Sequence, residues 1–410
     1  MRLAVHGVLA DGVASSAGSF PVLLRGLLER GHQVDFFANP GYVRPRSLES
    51  YAGYRFQPLH VEAAEAVYRA GRALKVEVAS AFSSQFSHVA YDRAAKLRIE
   101  ELHASTPYDL VFCTDNHSCW PSALPVVSWP QGPPQVEAAA LRDPETARAV
   151  VRSRGAAYYA AVQGFYAYRW LVARAARSVT DLYLVASPWA REQWIRFGVE
   201  PERVQVMPYA IELGVFDGTP PVGQRPALEF LWLGRAAPRK RLDLFLAAFA
   251  ELRSRRSDVR ARLVGNLKND SFAQPILARY AGVPDVVVLD PIARERVPAL
   301  LAESDVLVQP SQNENFGFGI AEALAAGRPV VAGPTNGTFA YAGAAGFGFE
   351  AYTPTSIAAA MERAVDAARA RGAELSAAAR EAARVAFTPD GVVERFVEVT
   401  RELVAARPRG

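Results

Sequence analysis

The sequence predicts an α/β protein of two domains, and three observations lead to this fold class. The chain has 410 residues, which is more than one hydrophobic core normally supports. Near its start, a strand (3–8), a helix with an apolar stripe (20–30) and a second strand (33–38) form a βαβ unit. In the second half, between 304 and 332, a strand, a glycine-containing loop, a helix and another strand follow one another. Both halves therefore contain the unit from which parallel sheets are built.

Composition narrows the class of protein. Hydrophobic residues make up 50% of the chain and charged residues 21%, as in an ordinary globular enzyme. A formal charge of +4 suits an anionic substrate or a membrane surface, but it is too small to indicate nucleic acid binding. Cys113 and Cys119 fit neither a zinc site nor a disulfide framework, so we expect a reducing, cytoplasmic compartment. His6 and Asp11 interrupt the first apolar run, which favours a strand over a signal peptide.

The loop at residues 310–318 lies between a predicted strand (304–309) and a helix that follows Gly319. Gly327 suits the left-handed position that ends a helix, and Pro329 cannot extend it. The loop should therefore lie at the carboxyl end of a parallel strand and at a helix N-terminus. Free N–H groups and the positive end of the helix dipole favour an anion there.

Two carboxylates bracket this predicted anion site, Glu314 in the loop and Glu322 about one turn into the helix. Carboxylates do not bind phosphate, but they accept hydrogen bonds from sugar hydroxyls. Amides for phosphate together with acids for hydroxyls suit a nucleotide-sugar. The alternative is an ordinary helix in which Glu322 is a solvated acid and the glycines permit a turn.

The residues from Glu314 to Gly327 read E-N-F-G-F-G-I-A-E-A-L-A-A-G. This run resembles the E-x7-E signature of the retaining glycosyltransferases of family 4, which have the GT-B fold. Gly31-His32, before the second predicted strand, also matches this family. The resemblance covers essentially the whole chain and is most specific from Gly234 to Gly337.

The resemblance implies a GT-B architecture of two Rossmann-like domains that face each other across a cleft. We expect an acceptor-binding domain at 1–207 and a donor-binding domain at 208–389, with the last helix, 390–410, packing back on the first domain. The implied reaction moves a sugar from a UDP- or GDP-type nucleotide-sugar to an acceptor hydroxyl with retention of configuration. The acceptor would be a glycan, a lipid-linked or a small molecule. No D-x-D motif occurs, so we expect neither an obligatory metal nor another cofactor.

The donor-binding residues are also implied by the resemblance. Gly234-Arg235 followed by Lys240 resembles the family motif G-R-x4-K, whose two cations bind the donor diphosphate. Fixed cations stabilise the negative charge that grows on the leaving group as the sugar–oxygen bond breaks. Glu322 would bind the ribose hydroxyls and Glu314 the transferred sugar. The backbone amides expected to help hold the diphosphate belong to Asn315, Phe316, Gly317 and Phe318.

Other candidates follow from strand ends and from departures from the family pattern. Gly18 is the counterpart of a glycine that approaches the donor phosphates, or part of a flexible turn without a ligand, and Ile292 would contact the base through its backbone. Asp115 and His117 follow a predicted strand and are acceptor-side candidates. Gln131 stands where the family carries an active-site histidine, and it could position the sugar without acting as a base. His117 either supplies that imidazole or is a structural loop histidine.

Three questions stay open at this point. The arginines and aromatic residues of 146–177 fit a peripheral membrane contact, an anionic acceptor, or packing on the domain core. Tyr209-Ala210 replaces the Asn-Gly that is usual in the family, so a donor-sugar contact from this segment is in doubt. A nucleotide-sugar 2-epimerase and a catalytically silent nucleotide- or glycan-binding protein are the rival functions. A dehydrogenase is disfavoured, because no G-x-G-x-x-G follows the first strand.

Overall fold

The computed structural model describes residues 1–9, 11, 16–40, 45–73, 77–115 and 117–406. The chain divides into two compact units, each with its own parallel sheet. The first unit comprises Met1–Ala138, Ala157–Ala210 and Pro389–Gly410, and the second comprises Ala139–Ala156 and Ile211–Thr388. A short piece from the middle of the N-terminal half thus belongs to the second unit.

The sheet of the first unit has seven strands, all parallel to their neighbours, in the order β3-β2-β1-β4-β5-β6-β7. They are β1 (Arg2–Gly7), β2 (Gln33–Ala38), β3 (Tyr54–Pro58), β4 (Leu110–Asp115), β5 (Val126–Pro130), β6 (Leu182–Val185) and β7 (Val204–Val206). Val5 on β1 pairs with Phe36 on β2 and with Phe112 on β4. All three side chains are buried, which explains the near-continuous apolar runs of these central strands.

Seven helices accompany these strands along the chain. They are α1 (Ser16–Glu29), α2 (Glu62–Ala73), α3 (Glu77–His103), α4 (Pro134–Arg142), α5 (Pro144–Arg154), α6 (Ala156–Ala176) and α7 (Pro188–Arg196). Ser187 caps α7, since its side chain accepts a hydrogen bond from the Ala190 amide at 3.1 Å. α5 lies within the segment assigned to the second unit.

The second unit contains six parallel strands in the order β10-β9-β8-β11-β12-β13. They are β8 (Leu228–Leu233), β9 (Val259–Val264), β10 (Val286–Leu289), β11 (Val306–Gln309), β12 (Val330–Ala332) and β13 (Gly346–Gly348). This is the strand order of a Rossmann fold, with the reversal between β8 and β11. In such sheets the ligand binds beyond the carboxyl ends of the two strands at the reversal.

The remaining helices complete both units. They are α8 (Leu242–Arg253), α9 (Ala273–Arg279), α10 (Val297–Ala302), α11 (Phe318–Ala325), α12 (Pro354–Phe387) and α13 (Pro389–Ala406). α12 is kinked at Arg371, whose φ of −146° is not helical. α13 belongs to the first unit, where Phe396 packs on Phe112 with ring centroids 5.1 Å apart.

The helix after the 310–318 loop ends as the sequence predicted. Gly327 has a φ of +70°. Its amide donates to the Leu324 carbonyl at 2.9 Å, and the amide of Arg328 donates to the Ala323 carbonyl at 2.7 Å. These two bonds form a Schellman motif, which requires a left-handed residue and therefore favours glycine.

Several predicted boundaries are wrong. The segment 16–19 was expected to be loop, but α1 begins at Ser16, so Gly18 lies in its first turn. The strand before His117 continues to Asp115, and β3 and β13 were not predicted. The last helix, expected at 390–410, is described as Pro389–Ala406.

Aromatic side chains of 146–177 pack within the first unit. Phe165 on α6 contacts Phe82 on α3 with a centroid separation of 5.4 Å, and Tyr168 lies 6.2 Å from the same ring. Trp170 and Leu171 remain exposed. No helix in the described ranges combines the length and apolar composition that a membrane span needs. Tyr209 is also a core residue, since its ring stacks on Trp129 at 5.1 Å.

Candidate active site

The reversal of strand order in the second unit brings two loops together. The loop after β8 contains a 3₁₀ turn, Pro238–Lys240, and the loop after β11 carries Glu314. The amide of Gln312 donates to the carbonyl of Arg239 at 2.8 Å, which ties the two loops. The cationic motif and the acidic loop are therefore neighbours, although 70 or so residues separate them in the chain.

Two cations converge on one oxygen of Glu314. Arg239 Nη1 lies 2.6 Å from Glu314 Oε2, and Lys240 Nζ donates to the same oxygen. The Glu314 backbone is held on both sides, because its amide donates to Thr335 at 2.9 Å and its carbonyl accepts from Gly337 at 2.8 Å. The other carboxylate oxygen, Oε1, receives no hydrogen bond from the described residues. That oxygen is available to a ligand hydroxyl.

The ion pairs fix the charge state of Glu314. Burial alone would raise the pKa of this carboxyl, but the charges of Arg239 and Lys240 outweigh it and lower the pKa to about 2. Burial also lowers the pKa of Lys240, and the carboxylate of Glu314 opposes that shift. A carboxylate with a pKa of about 2 is a poor base near neutral pH. Glu314 is therefore suited to accept hydrogen bonds and not to remove a proton.

Arg235 adds a further positive charge. Its side chain is exposed and makes no hydrogen bond or ion pair with any residue in the described ranges. It lies close enough to Lys240 for its charge to lower the pKa of that ammonium group. Besides Arg241, which pairs with Asp243, the loop after β8 thus presents three cations, of which Glu314 neutralises only one. The surplus suits a diphosphate.

Glu322 on α11 is buried and pairs with Arg294, whose Nη1 lies 2.5 Å from Glu322 Oε1. Burial raises the pKa of Glu322, and the charge of Arg294 opposes the shift. Arg294 follows β10 in the same loop as Ile292, which is half-buried. The residues expected at the ribose and at the base therefore lie on adjoining elements.

The amides of residues 315–318 were expected to help hold the diphosphate. The Gly317 amide donates to Thr338 Oγ1 at 2.8 Å, so in this conformation it is engaged within the protein. Phe316 is buried, and its ring packs on Phe318 at 4.9 Å and on Phe387 at 5.7 Å. These rings anchor the loop.

Buried polar atoms without partners surround the same loops. Both amide atoms of Asn336 are buried and lack a hydrogen-bond partner, as do Gln309 Oε1 and Ser311 Oγ. Asn336 forms an isolated parallel bridge with Glu314. Unpaired buried polar groups are costly, and a bound ligand is one way to satisfy them.

The first-unit candidates lie at the carboxyl ends of their strands. Gln131 follows β5 and is exposed. His117 is buried, its ring meets Trp194 edge-on at 5.6 Å, and its Nδ1 has no partner. Asp115 is the last residue of β4, and its side chain is outside the described part of the chain. Gly18 is in α1, as noted above.

His117 lines a small cavity of about 20 Å³ together with His6 and His88, roughly the space of one water molecule. Burial lowers the pKa of His6 and of His88 to about 4 and that of His117 to about 3. The Arg169 charge lowers the pKa of His117 further. All three imidazoles are therefore neutral at pH 7. Among the described residues, no group of three His, Cys, Asp or Glu side chains is arranged to hold a metal ion.

Sequence reasoning missed three residues of the second-unit site, namely Arg239, Arg294 and Asn336. Arg239 directly precedes Lys240 in the sequence, so its charge was visible. The direction of its side chain toward Glu314 depends on the 3₁₀ turn, which the sequence did not predict. Arg294 and Asn336 reach the site from the loops after β10 and β12. The position of a residue in a loop at a strand's carboxyl end was the only sequence signal for them.

Two Rossmann-like domains, with a cationic and acidic candidate site at the strand reversal of the second, are the architecture of the GT-B glycosyltransferases. Comparison with known proteins agrees. Residues 20–210 match the family model described as "Glycosyl transferase 4-like domain", and residues 227–367 match "Glycosyl transferases group 1". The chain belongs to the group 1 glycosyltransferases of family 4.

Curated relatives carry glycosyltransferase names. D-inositol 3-phosphate glycosyltransferase of Thermobispora bispora is 31% identical over 231 residues, covering 52% of this chain and 54% of the relative. MMP alpha-(1->4)-mannosyltransferase of Mycolicibacterium hassiacum is 31% identical over 173 residues, covering 42% and 41%. The chain thus spans about half the length of the curated relatives it matches.

Solved structures share the fold over nearly the full chain. Sucrose-phosphate synthase from Thermosynechococcus elongatus superposes with a TM-score of 0.68 at 19% identity, covering 99% of this chain and 100% of that one. Anabaena HepE in complex with UDP-glucose gives a TM-score of 0.62 at 15% identity, covering 98% and 100%. At these identities the likeness establishes the fold alone.

Proposed function

We propose that this glycosyltransferase takes its sugar from a nucleoside-diphosphate sugar and transfers it to an acceptor hydroxyl with retention of configuration. The observation that supports this most is that Arg239 and Lys240 converge on a single carboxylate, Glu314, with Arg235 close to Lys240. The cluster lies where a Rossmann sheet binds its ligand. The HepE structures, which contain UDP or UDP-glucose, are consistent with a donor of this class.

The cations act on the leaving group. When the bond between the anomeric carbon and the donor phosphate oxygen breaks, its electron pair stays on the nucleoside diphosphate. Arg235 and Lys240 stabilise that charge, and Arg239 holds Glu314 in place. Because these cations are fixed before the reaction, little reorganisation is needed as the charge develops.

The acids orient the donor. The free oxygen of Glu314, Oε1, accepts a hydroxyl of the transferred sugar, and Asn336, bridged to Glu314, supplies an amide beside it. Glu322 binds the ribose hydroxyls, with Arg294 paired to its buried carboxyl group. Backbone groups near Ile292 contact the base. Each acid thus binds a different part of the donor.

Retention follows if the acceptor approaches on the face from which the diphosphate leaves. The acceptor oxygen forms the new bond to the anomeric carbon, and its proton passes to an oxygen of the departing diphosphate. The low pKa of Glu314 agrees with this scheme, because that carboxylate is a poor base.

The test is incubation with a panel of UDP- and GDP-sugars, following release of nucleoside diphosphate and the anomeric form of the product. We expect turnover with one donor class, and a loss of about 100-fold or more in Lys240→Ala and Glu314→Ala. Lys268→Ala, at an exposed lysine of the same unit, is the matched control. Full activity in the first two variants would refute the site. An epimer formed from the donor alone would indicate an epimerase.

A further inference from the structure

The second unit contains a large cavity that the donor site does not use. It has a volume of about 800 Å³ and lies between α5, the loop at 238–243 and α9. All of its described lining residues belong to the second unit. This volume is typical of pockets that bind small molecules.

The cavity is strongly cationic. Its described lining includes two aspartates, and both carboxylates are engaged. Asp143 accepts the Thr146 amide at 2.8 Å as the cap of α5, and Asp243 pairs with an arginine at 2.8 Å. Four arginines line the same space: Arg148, Arg152, Arg241 and Arg279.

Three of these guanidinium groups have no acidic partner among the described residues. Among the described residues, the Arg152 side chain has no hydrogen-bond or ion-pair partner, and the Arg148 side chain donates only to the Pro144 carbonyl of its own helix, at 3.0 Å. Arg279 lies over the Tyr280 ring, 5.6 Å from its centroid. Arg148 and Arg152 are one helical turn apart, where like charges repel. Arginines gathered in this way are suited to bind phosphate oxygens.

The rest of the wall combines apolar side chains with the hydroxyl groups of Thr146, Ser153 and Ser271. Phe272, Pro275 and Ile276 line the cavity beside the arginines. Arg154 pairs with Asp270 at 3.3 Å and so attaches the end of α5 to the segment before α9. A ligand that fills this space would therefore carry both anionic groups and a carbon framework.

We propose that this cavity binds a phosphorylated small molecule. Pro238 and Arg241 line the cavity and flank Arg239 and Lys240 in the sequence. A ligand bound in the cavity therefore contacts the loop that carries the donor cations. A phosphorylated acceptor and a phosphorylated effector present the same chemistry. The proposed binding of a phosphorylated molecule does not depend on the proposed function. An effect of that molecule on sugar transfer does depend on the proposed function.

Binding is tested on the full chain saturated with UDP or GDP, which keeps probes out of the donor site. Glucose 6-phosphate and fructose 1,6-bisphosphate are titrated by calorimetry, with glucose as the uncharged comparison. We expect the phosphorylated probes alone to bind, and Arg148→Gln/Arg152→Gln to weaken them by about 10-fold or more. Arg255→Gln/Arg260→Gln removes two exposed charges elsewhere in the unit and should bind as the parent does.

Absence of probe binding to the parent, or equal affinity in the two double variants, would overturn the proposal. Activity assays then identify the source. Glycosylation of glucose 6-phosphate, with a raised KM and unchanged donor hydrolysis in Arg148→Gln/Arg152→Gln, assigns the site to the acceptor. A change in donor hydrolysis without glycosylation of the probe assigns it to an effector. Probe binding without turnover of any nucleotide-sugar would contradict the proposed function and leave this site supported.

Discussion

Replacing Glu314 by glutamine should have opposite effects on stability and on nucleotide binding. The side chain keeps its shape but loses its charge, so Lys240 and Arg239 face each other without a carboxylate between them. The pKa of Glu314 is about 2 in the folded protein, against about 4.3 in an unfolded chain. This difference corresponds to about 3 kcal/mol of stability at pH 7. Breaking a buried ion pair typically costs a similar amount.

Calorimetric unfolding measures the loss. For a unit of this size, about 3 kcal/mol lowers the Tm by roughly 6–12 °C. The affinity for UDP or GDP should nevertheless be equal or higher, because three cations are now unneutralised, while turnover of the sugar donor falls. Glu381→Gln, which breaks an exposed pair with Arg384, is the control and should leave the Tm nearly unchanged. A stable Glu314→Gln variant with weakened nucleotide binding would refute this reasoning.

Three further predictions concern pH, backbone and the ribose site. The pKa values of His6 and His88 lie near 4 in the folded protein and near 6.5 in the unfolded chain. The free energy of unfolding should therefore fall by about 3 kcal/mol per histidine as the pH decreases from 6.5 to 4. Denaturant titrations at several pH values should show a smaller fall in His6→Asn. In Gly265→Ala the new Cβ would lie 2.1 Å from the Gly234 carbonyl oxygen, so the loop that carries Arg235 must shift. Calorimetry should then show that the binding of nucleoside diphosphate is weakened about tenfold or more. Arg294→Gln leaves the Glu322 carboxylate buried without its partner and should destabilise by about 3 kcal/mol, with Glu322→Gln in the same chain restoring part of the loss.

Local signals predicted much of the fold. The opening βαβ unit follows from apolar periodicity, and the end of α11 at Gly327 follows from a backbone conformation that only glycine adopts easily. The start of α1 was wrong because Ser16 to Ser19 are small residues that also suit a loop. β3 was missed because it is an edge strand of mixed polarity.

The site was predicted less completely, for a physical reason. Motif spacing selected Lys240, Glu314 and Glu322 as candidates. Each of these residues is placed by one local strand–loop–helix unit. The partners of the two acids depend on which strands lie side by side. Arg294 reaches Glu322 across the sheet, and no pattern within either segment records that contact.

Arg241 shows how a departure from a family pattern can be explained by structure. It stands where the family usually has glycine, and its φ of 50° is left-handed, a conformation that costs a non-glycine residue about 1 kcal/mol. The bidentate contact of its guanidinium with Asp243, at 3.0 and 2.8 Å, offsets part of this cost.

Titration calorimetry of UDP and GDP against the parent chain and against Arg235→Gln/Lys240→Met tests the central claim most directly. The claim is that the cations of the loop after β8 hold the donor diphosphate. We predict that the parent binds at least one of the two nucleotides and that the double variant binds it about 100-fold more weakly, with no loss in Lys268→Gln. Equal affinity of the parent and the double variant would show that the diphosphate lies elsewhere and would contradict the account.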